Sequence, residues 1–150
     1  MTKQQLQEDL KQSMLARDAE RTSVLRMILS AVNYHEINKG GAGYVATEED
    51  VMTVIQNQAK QRRDSIEQFT AGKRPELAEK EQQELKIIQA YLPEQMGEEE
   101  IRKLVKEAIT STGASTPQDM GKVMGALMPH TRGKADGGLV SKIVREELNS

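Results

Sequence analysis

The amino-acid sequence predicts an all-α protein: an N-terminal antiparallel layer of about four helices followed by a small three-helix domain. Three observations carry that expectation. Apolar residues recur three and four positions apart over long stretches, the period of one helical face. Capping pairs such as Thr47 with Asp50 and Thr116 with Asp119 stand just ahead of those stretches. No run of alternating β-branched residues marks a strand.

The first helix is expected from about Thr2 to Ala16, with Leu6, Leu10 and Met14 four apart. Asp18 offers a cap for the second, whose face of Val24, Leu25, Ile28, Leu29 and Val32 continues towards Lys39. Gly40-Gly41-Ala42-Gly43 breaks the chain as a flexible turn. A phosphate-cradling Gly-rich loop would follow a strand and carry a Lys-Ser/Thr pair, and neither is present. The third helix opens at the Thr47 cap and runs to about Ala71 on Val51, Ile55, Ala59, Ile66 and Phe69, a seam interrupted at Arg62, with Gly72 in the C′ role. Pro75 opens the fourth, with Leu77, Leu85, Ile88 and Leu92 inward, and Leu92-Pro93 ends it. The polar, Pro/Gly-marked stretch from Pro93 to Gly97 reads as a boundary, dividing the chain into residues 1–93 and 94–150.

Glu98-Glu99-Glu100 suit the first turn of a fifth helix, where the backbone dipole favours negative charge. Its face is Ile101, Leu104, Val105, Ala108 and Ile109, and Gly113 stops it. Thr116 then caps a sixth helix with Pro117 in first position and a stripe of Met120, Val123, Met124 and Leu127, stopped by Pro129. Asp136 caps the seventh, on Leu139, Val140, Ile143, Val144 and Leu148. Within the sixth, Gly121 and Gly125 sit one turn apart at roughly 1 kcal/mol each relative to alanine. Such spacing permits the close approach of another backbone, either a packed neighbouring helix or a ligand.

Composition narrows the function. With 37% apolar and 29% charged residues in 150, the core must be thin. One Phe, three Tyr and no Trp remove the usual platforms for stacking unpaired bases. The absence of cysteine excludes disulfides, thiolate metal sites and a Cys nucleophile. The polar start and the lack of about 18 consecutive apolar residues predict a soluble, cytoplasmic chain without membrane contact. A net charge of −2 argues against global electrostatic binding of nucleic acid but leaves room for a local basic patch.

No catalytic or metal constellation emerges. His35 and His130 share no ligand spacing with each other or with carboxylates. Ser23, Ser30, Ser65 and Ser141 all fall mid-helix, outside any nucleophile-elbow context. Asp119 and Asp136 are accounted for as caps. No cofactor is implied. The cations are more informative: Lys60, Arg62, Arg63, Lys73 and Arg74 cluster around the third helix. Between Thr116 and Arg145, five cations (Lys122, Arg132, Lys134, Lys142 and Arg145) face two anions, a local excess of three. Arg132-Gly133-Lys134 precedes a helix start at Gly137-Gly138, an arrangement suited to phosphate; a solvated loop is the bland alternative.

These blocks resemble the YqeY family, also called GatB/YqeY, over essentially the whole chain. The resemblance rests on Ser23-Val24-Leu25-Arg26-Met27, Lys60-Gln61-Arg62-Arg63-Asp64-Ser65 and Ala90-Tyr91-Leu92-Pro93-Glu94-Gln95. Its most specific part runs from Asp119 to Pro129 and then from Gly133 to Gly137. It implies that the C-terminal part is similar to the GatB tail of the tRNA-dependent amidotransferase, a carbon–nitrogen ligase in which the tail helps hold the tRNA body. Similar modules are appended to some glutaminyl-tRNA synthetases. Nothing here matches the transamidation centre, so catalysis does not transfer with the resemblance. The expectation is a stand-alone tRNA-binding accessory module reading tRNA shape and phosphates through Lys122, Arg132, Lys134 and Lys142, with Gly121 and Gly125 permitting close approach. The alternative is a helical module docking an amidotransferase or aminoacyl-tRNA synthetase without touching RNA.

Overall fold

The computed structural model describes residues 1–149, so Ser150, the end of the expected second domain, lies outside it. Those residues form seven α-helices and no strand: α1 (Lys3–Leu15), α2 (Ala19–Gly40), α3 (Glu48–Ala71), α4 (Pro75–Gln89), α5 (Glu98–Thr112), α6 (Met120–Thr131) and α7 (Gly137–Leu148). The chain divides into two compact units, the first Met1–Leu92 and the second beginning at Pro93.

In the first unit α1 pairs with α2 and α3 with α4, while α2 also packs on α3 and α4. Leu6, Val24, Leu25, Ile28, Val32, Val51, Ile55, Ala59 and Ile88 are fully excluded from solvent in the shared core. Caps set the starts. Thr2 and Gln5 exchange two hydrogen bonds at α1, and Thr47 and Asp50 do the same at α3. Asp50 does more than cap. Its buried carboxylate also accepts from Lys39 Nζ at 2.6 Å and Tyr44 Oη at 2.6 Å, and lies 3.2 Å from His35 Nε2. Together with Thr47, Lys39 and Tyr44 hold that carboxyl far below the usual carboxylate range. Glu36 on α2 holds the same loop beside that cap, accepting from Lys3 Nζ at 2.7 Å and the Ala46 N–H at 2.9 Å.

Several elements differ from the sequence expectation. Met14 lies on the period of Leu6 and Leu10 yet is 45% exposed. Ser13 is buried in its stead, its hydroxyl satisfied by the Leu10 carbonyl and the Thr22 hydroxyl, because the chain turns into α2 there. At the end of α3 the left-handed residue is Lys73 (φ 56°) and not Gly72 (φ −80°). The Arg74 N–H reaches back to the Phe69 carbonyl at 2.8 Å, which places the turn one residue later. Arg62, the gap in the α3 seam, is mostly buried and lies 2.9 Å from Glu84 and 3.3 Å from Glu81 on α4. α4 closes at Gln89, ahead of Leu92.

In the second unit α5 packs on both α6 and α7, which also touch each other. Ile101, Val105, Val123, Leu127, Val140, Ile143 and Val144 form its core. Gly113 (φ 69°) ends α5 in the left-handed conformation, as its place in the sequence suggests. Arg102 on α5 reaches Glu147 at 2.7 Å and Glu146 at 2.9 Å on α7, clamping the two helices across their solvent edge. Two boundaries shift. Pro117–Asp119 forms a 3-10 turn and α6 proper starts at Met120. Pro129 lies inside α6, which continues to Thr131. Pro129 has no N–H to donate, and it faces solvent. The Arg132 N–H to Met128 carbonyl bond at 3.0 Å and buried Leu127 and Thr131 carry the helix past it.

Candidate functional site

Helical geometry sorts α6 into two faces. Val123, Leu127 and Thr131 are buried, with Met120 and Met124 partly so, and all five point towards the core. Gly121, Lys122, Gly125 and Pro129 point the other way and are exposed. A Cβ built at Gly121 or Gly125 would meet nothing within 4 Å beyond its own helix. The glycines therefore do not serve packing within this chain, the bland reading of their spacing. They leave a strip of bare backbone on the solvent side. Met128, on the flank of that strip, is 56% exposed. In the sequence, its position off the Met120-Val123-Met124-Leu127 stripe is the signal that marks it.

Pro129 adds a further property. It carries no N–H, so the Gly125 carbonyl four residues earlier lacks its helical donor. Lys122 stands at the edge of the strip, within electrostatic reach of Asp119. That carboxylate accepts the Ser115 N–H at 3.0 Å and the Thr116 N–H at 3.2 Å, and these bonds, helped by Lys122, keep its pKa below the usual range. Asp119 is thereby a cap, as its place in the sequence suggests.

The α6–α7 connection is held from behind by main-chain atoms. The Gln95 side-chain amide donates to the Gly133 carbonyl at 3.0 Å, and the Met96 N–H donates to the Lys134 carbonyl at 2.8 Å. Gly133 adopts φ 80°, and the Lys134 and Ala135 N–H groups both bond the Thr131 carbonyl. Arg132 and Lys134 are left exposed on either side of the glycine. Nothing in the sequence pairs Gln95 with this loop.

The α7 start is a poorer phosphate site than its glycines suggest. The Asp136 carboxylate occupies it, accepting the Leu139 N–H at 3.3 Å, and its oxygen lies 3.3 Å from where a Cβ of Gly138 would stand. A bound phosphate would face that negative charge. Lys142 is exposed midway along α7, opposite the buried Val140, Ile143 and Val144. The structure thus groups Gly121, Lys122, Gly125 and Arg132 along α6, sets Lys134 on the anchored loop, and leaves Lys142 on a separate helix. Such a surface offers ammonium and guanidinium donors. Among the described residues, no three His, Cys, Asp or Glu side chains are placed to bind a metal ion.

A family model described as "Yqey-like protein" matches residues 3–148. Among curated proteins, the mitochondrial protein "altered inheritance of mitochondria protein 41" of Pyrenophora tritici-repentis is 35% identical over 149 residues, covering 97% of this chain and 80% of that protein. Its namesake in Candida glabrata is 36% identical over 89 residues, covering 59% of this chain and 48% of that protein. The Saccharomyces cerevisiae protein of that name is 38% identical over 87 residues, covering 58% and 46%. These names overturn the expectation of a cytoplasmic chain. That expectation rested on the lack of an apolar leader and a membrane span. Neither test bears on import by an amphipathic, Arg-rich leader. No helix among the described residues is long and apolar enough to cross a membrane.

Proposed function

The chain belongs to the Yqey-like protein family, and on that premise we propose that it is an accessory tRNA-binding module that reads the shape and phosphates of the tRNA body. The observation that supports this most is the bare strip of α6: Gly121 and Gly125 open to solvent beside Lys122 and Arg132, with Lys134 on the anchored loop. A nucleic-acid backbone needs close approach, cationic donors and little else, because phosphate contacts position without reading sequence. Shape recognition also agrees with the scarcity of stacking aromatics.

Anisotropy titrations of labelled bulk tRNA at three salt concentrations test the proposal. Saturable binding that weakens steeply with salt is expected. Arg132→Ala with Lys134→Ala should lower affinity and flatten the salt slope by about one unit per lost phosphate contact. Unchanged binding by the double variant removes the loop from the site, and no binding at low salt removes RNA altogether. The exposure of Met128 on the flank of the strip favours a second reading, docking to an amidotransferase or aminoacyl-tRNA synthetase. Under that reading, partners captured from lysate survive ribonuclease treatment.

A further inference from the structure

At the corner between α1 and α2 the first unit carries a groove of about 480 Å³, lined by Met14, Arg17, Ala19, Ser23, Arg26 and Met27, among others. Its lining brings together two thioethers and two guanidinium groups, without a carboxylate. Met14 is 45% exposed and the adjacent Leu15 69% exposed. Arg26 Nη2 lies 3.6 Å from Met14 Sδ. Elsewhere in this unit Arg21 faces Asp9, and Arg62 faces Glu81 and Glu84. Neither Arg17 nor Arg26 has a carboxylate within ion-pair distance among the described residues.

Arg17 is also held in an unfavourable backbone conformation. It takes the left-handed position that ends α1, with φ 56°, while its N–H bonds the Met14 carbonyl and the Asp18 N–H bonds the Ser13 carbonyl. Glycine fills such positions at least cost. An arginine there tolerates strain and delivers a guanidinium to the groove.

We infer that this groove receives an acidic amphipathic helix of a partner protein, its apolar side chains on Met14 and Met27 and its carboxylates on Arg17 and Arg26. Methionine accommodates varied apolar anchors, and arginine and methionine are enriched in protein interfaces. Charge complementarity selects an acidic occupant. A phosphate backbone gains nothing from a thioether floor. The described residues form helices and offer no sheet edge to an extended strand, so the helix-in-groove mode applies.

The experiment titrates the full chain with two labelled synthetic amphipathic helices that share one leucine stripe, one with glutamate on its polar face and one with lysine. The glutamate helix binds saturably and the lysine helix does not. Arg26→Glu weakens that binding at least about tenfold, and Arg26→Gln, a milder change, weakens it less. Arg17→Gly weakens binding while raising the urea midpoint, a split that a purely structural arginine does not produce. Equal binding of the two helices, no binding of the glutamate helix, or affinity unchanged by Arg26→Glu and Arg17→Gly overturns the inference. Loss of tRNA affinity in Arg26→Glu with peptide binding intact also overturns it, and reassigns the groove to phosphate.

Discussion

Replacing Gly121 and Gly125 by alanine separates stability from binding, because the two effects have opposite signs. Both positions are helical, exposed and free of neighbours that a methyl group would strike. Glycine in an exposed helix interior costs about 1 kcal/mol relative to alanine, and less near the first turn, where Gly121 lies. The pair of substitutions should therefore stabilise the second unit by roughly 1.5 kcal/mol. With a urea dependence of about 2 kcal/mol per molar, the midpoint of helix loss followed by circular dichroism rises by roughly 0.7 M. The same two methyl groups hold a ligand backbone away from the strip, so tRNA affinity should fall about tenfold, equivalent to about 1.4 kcal/mol. A lower midpoint would mean that the glycines answer a close contact inside the fold. A higher midpoint with unchanged tRNA affinity would mean that the strip is not where RNA docks.

Two further predictions concern what holds each unit together. Ile143 is 1% exposed at the centre of the second core, so Ile143→Ala should cost roughly 2–5 kcal/mol in urea unfolding; a loss under about 1 kcal/mol would show that α7 is loosely seated. Asp50 has a folded pKa depressed by Lys39, Tyr44 and the Thr47 N–H. Its stabilising contribution is therefore complete above the unfolded value of about 3.9 and is lost as the pH falls from there towards the folded value. The wild-type midpoint should drop on acidification below about pH 4, and Asp50→Asn should lower the midpoint at pH 7 and flatten that acid dependence. Parallel pH profiles for the two proteins would refute the assignment.

The helical class was legible because local chemistry and periodicity agree along the chain. Asp18, Thr47 and Asp136 cap where their spacing from the apolar stripes says they should, and the faces of α5 and α7 are buried as their period implies. What escaped depends on tertiary position. Met14 has the period of a core residue, but α1 ends there and the chain turns, so it meets solvent. Arg62 interrupts an apolar seam and reads as surface until Glu81 and Glu84 arrive from α4. Lys73 takes a conformation that local propensity assigns to Gly72, because the capping bonds to Phe69 and Thr70 select the residue by register. At the candidate site the cations and the paired glycines were visible in the sequence, whereas the side each one faces was not. Pro129 misled in a useful way: read as a stop, it instead removes one donor in mid-face.

The way the α6–α7 loop is fastened has a consequence for how this surface tolerates substitution. Its anchors, from Gln95 and Met96, grip the carbonyls of Gly133 and Lys134, and every amino acid supplies a carbonyl. The framework is therefore indifferent to the side chain carried at residue 134. Substitutions at that position should therefore change the charge of this surface while the scaffold stays constant. Gly133, with its left-handed φ, is the position at which a side chain would be strained, whereas its lysine neighbour carries no such restriction.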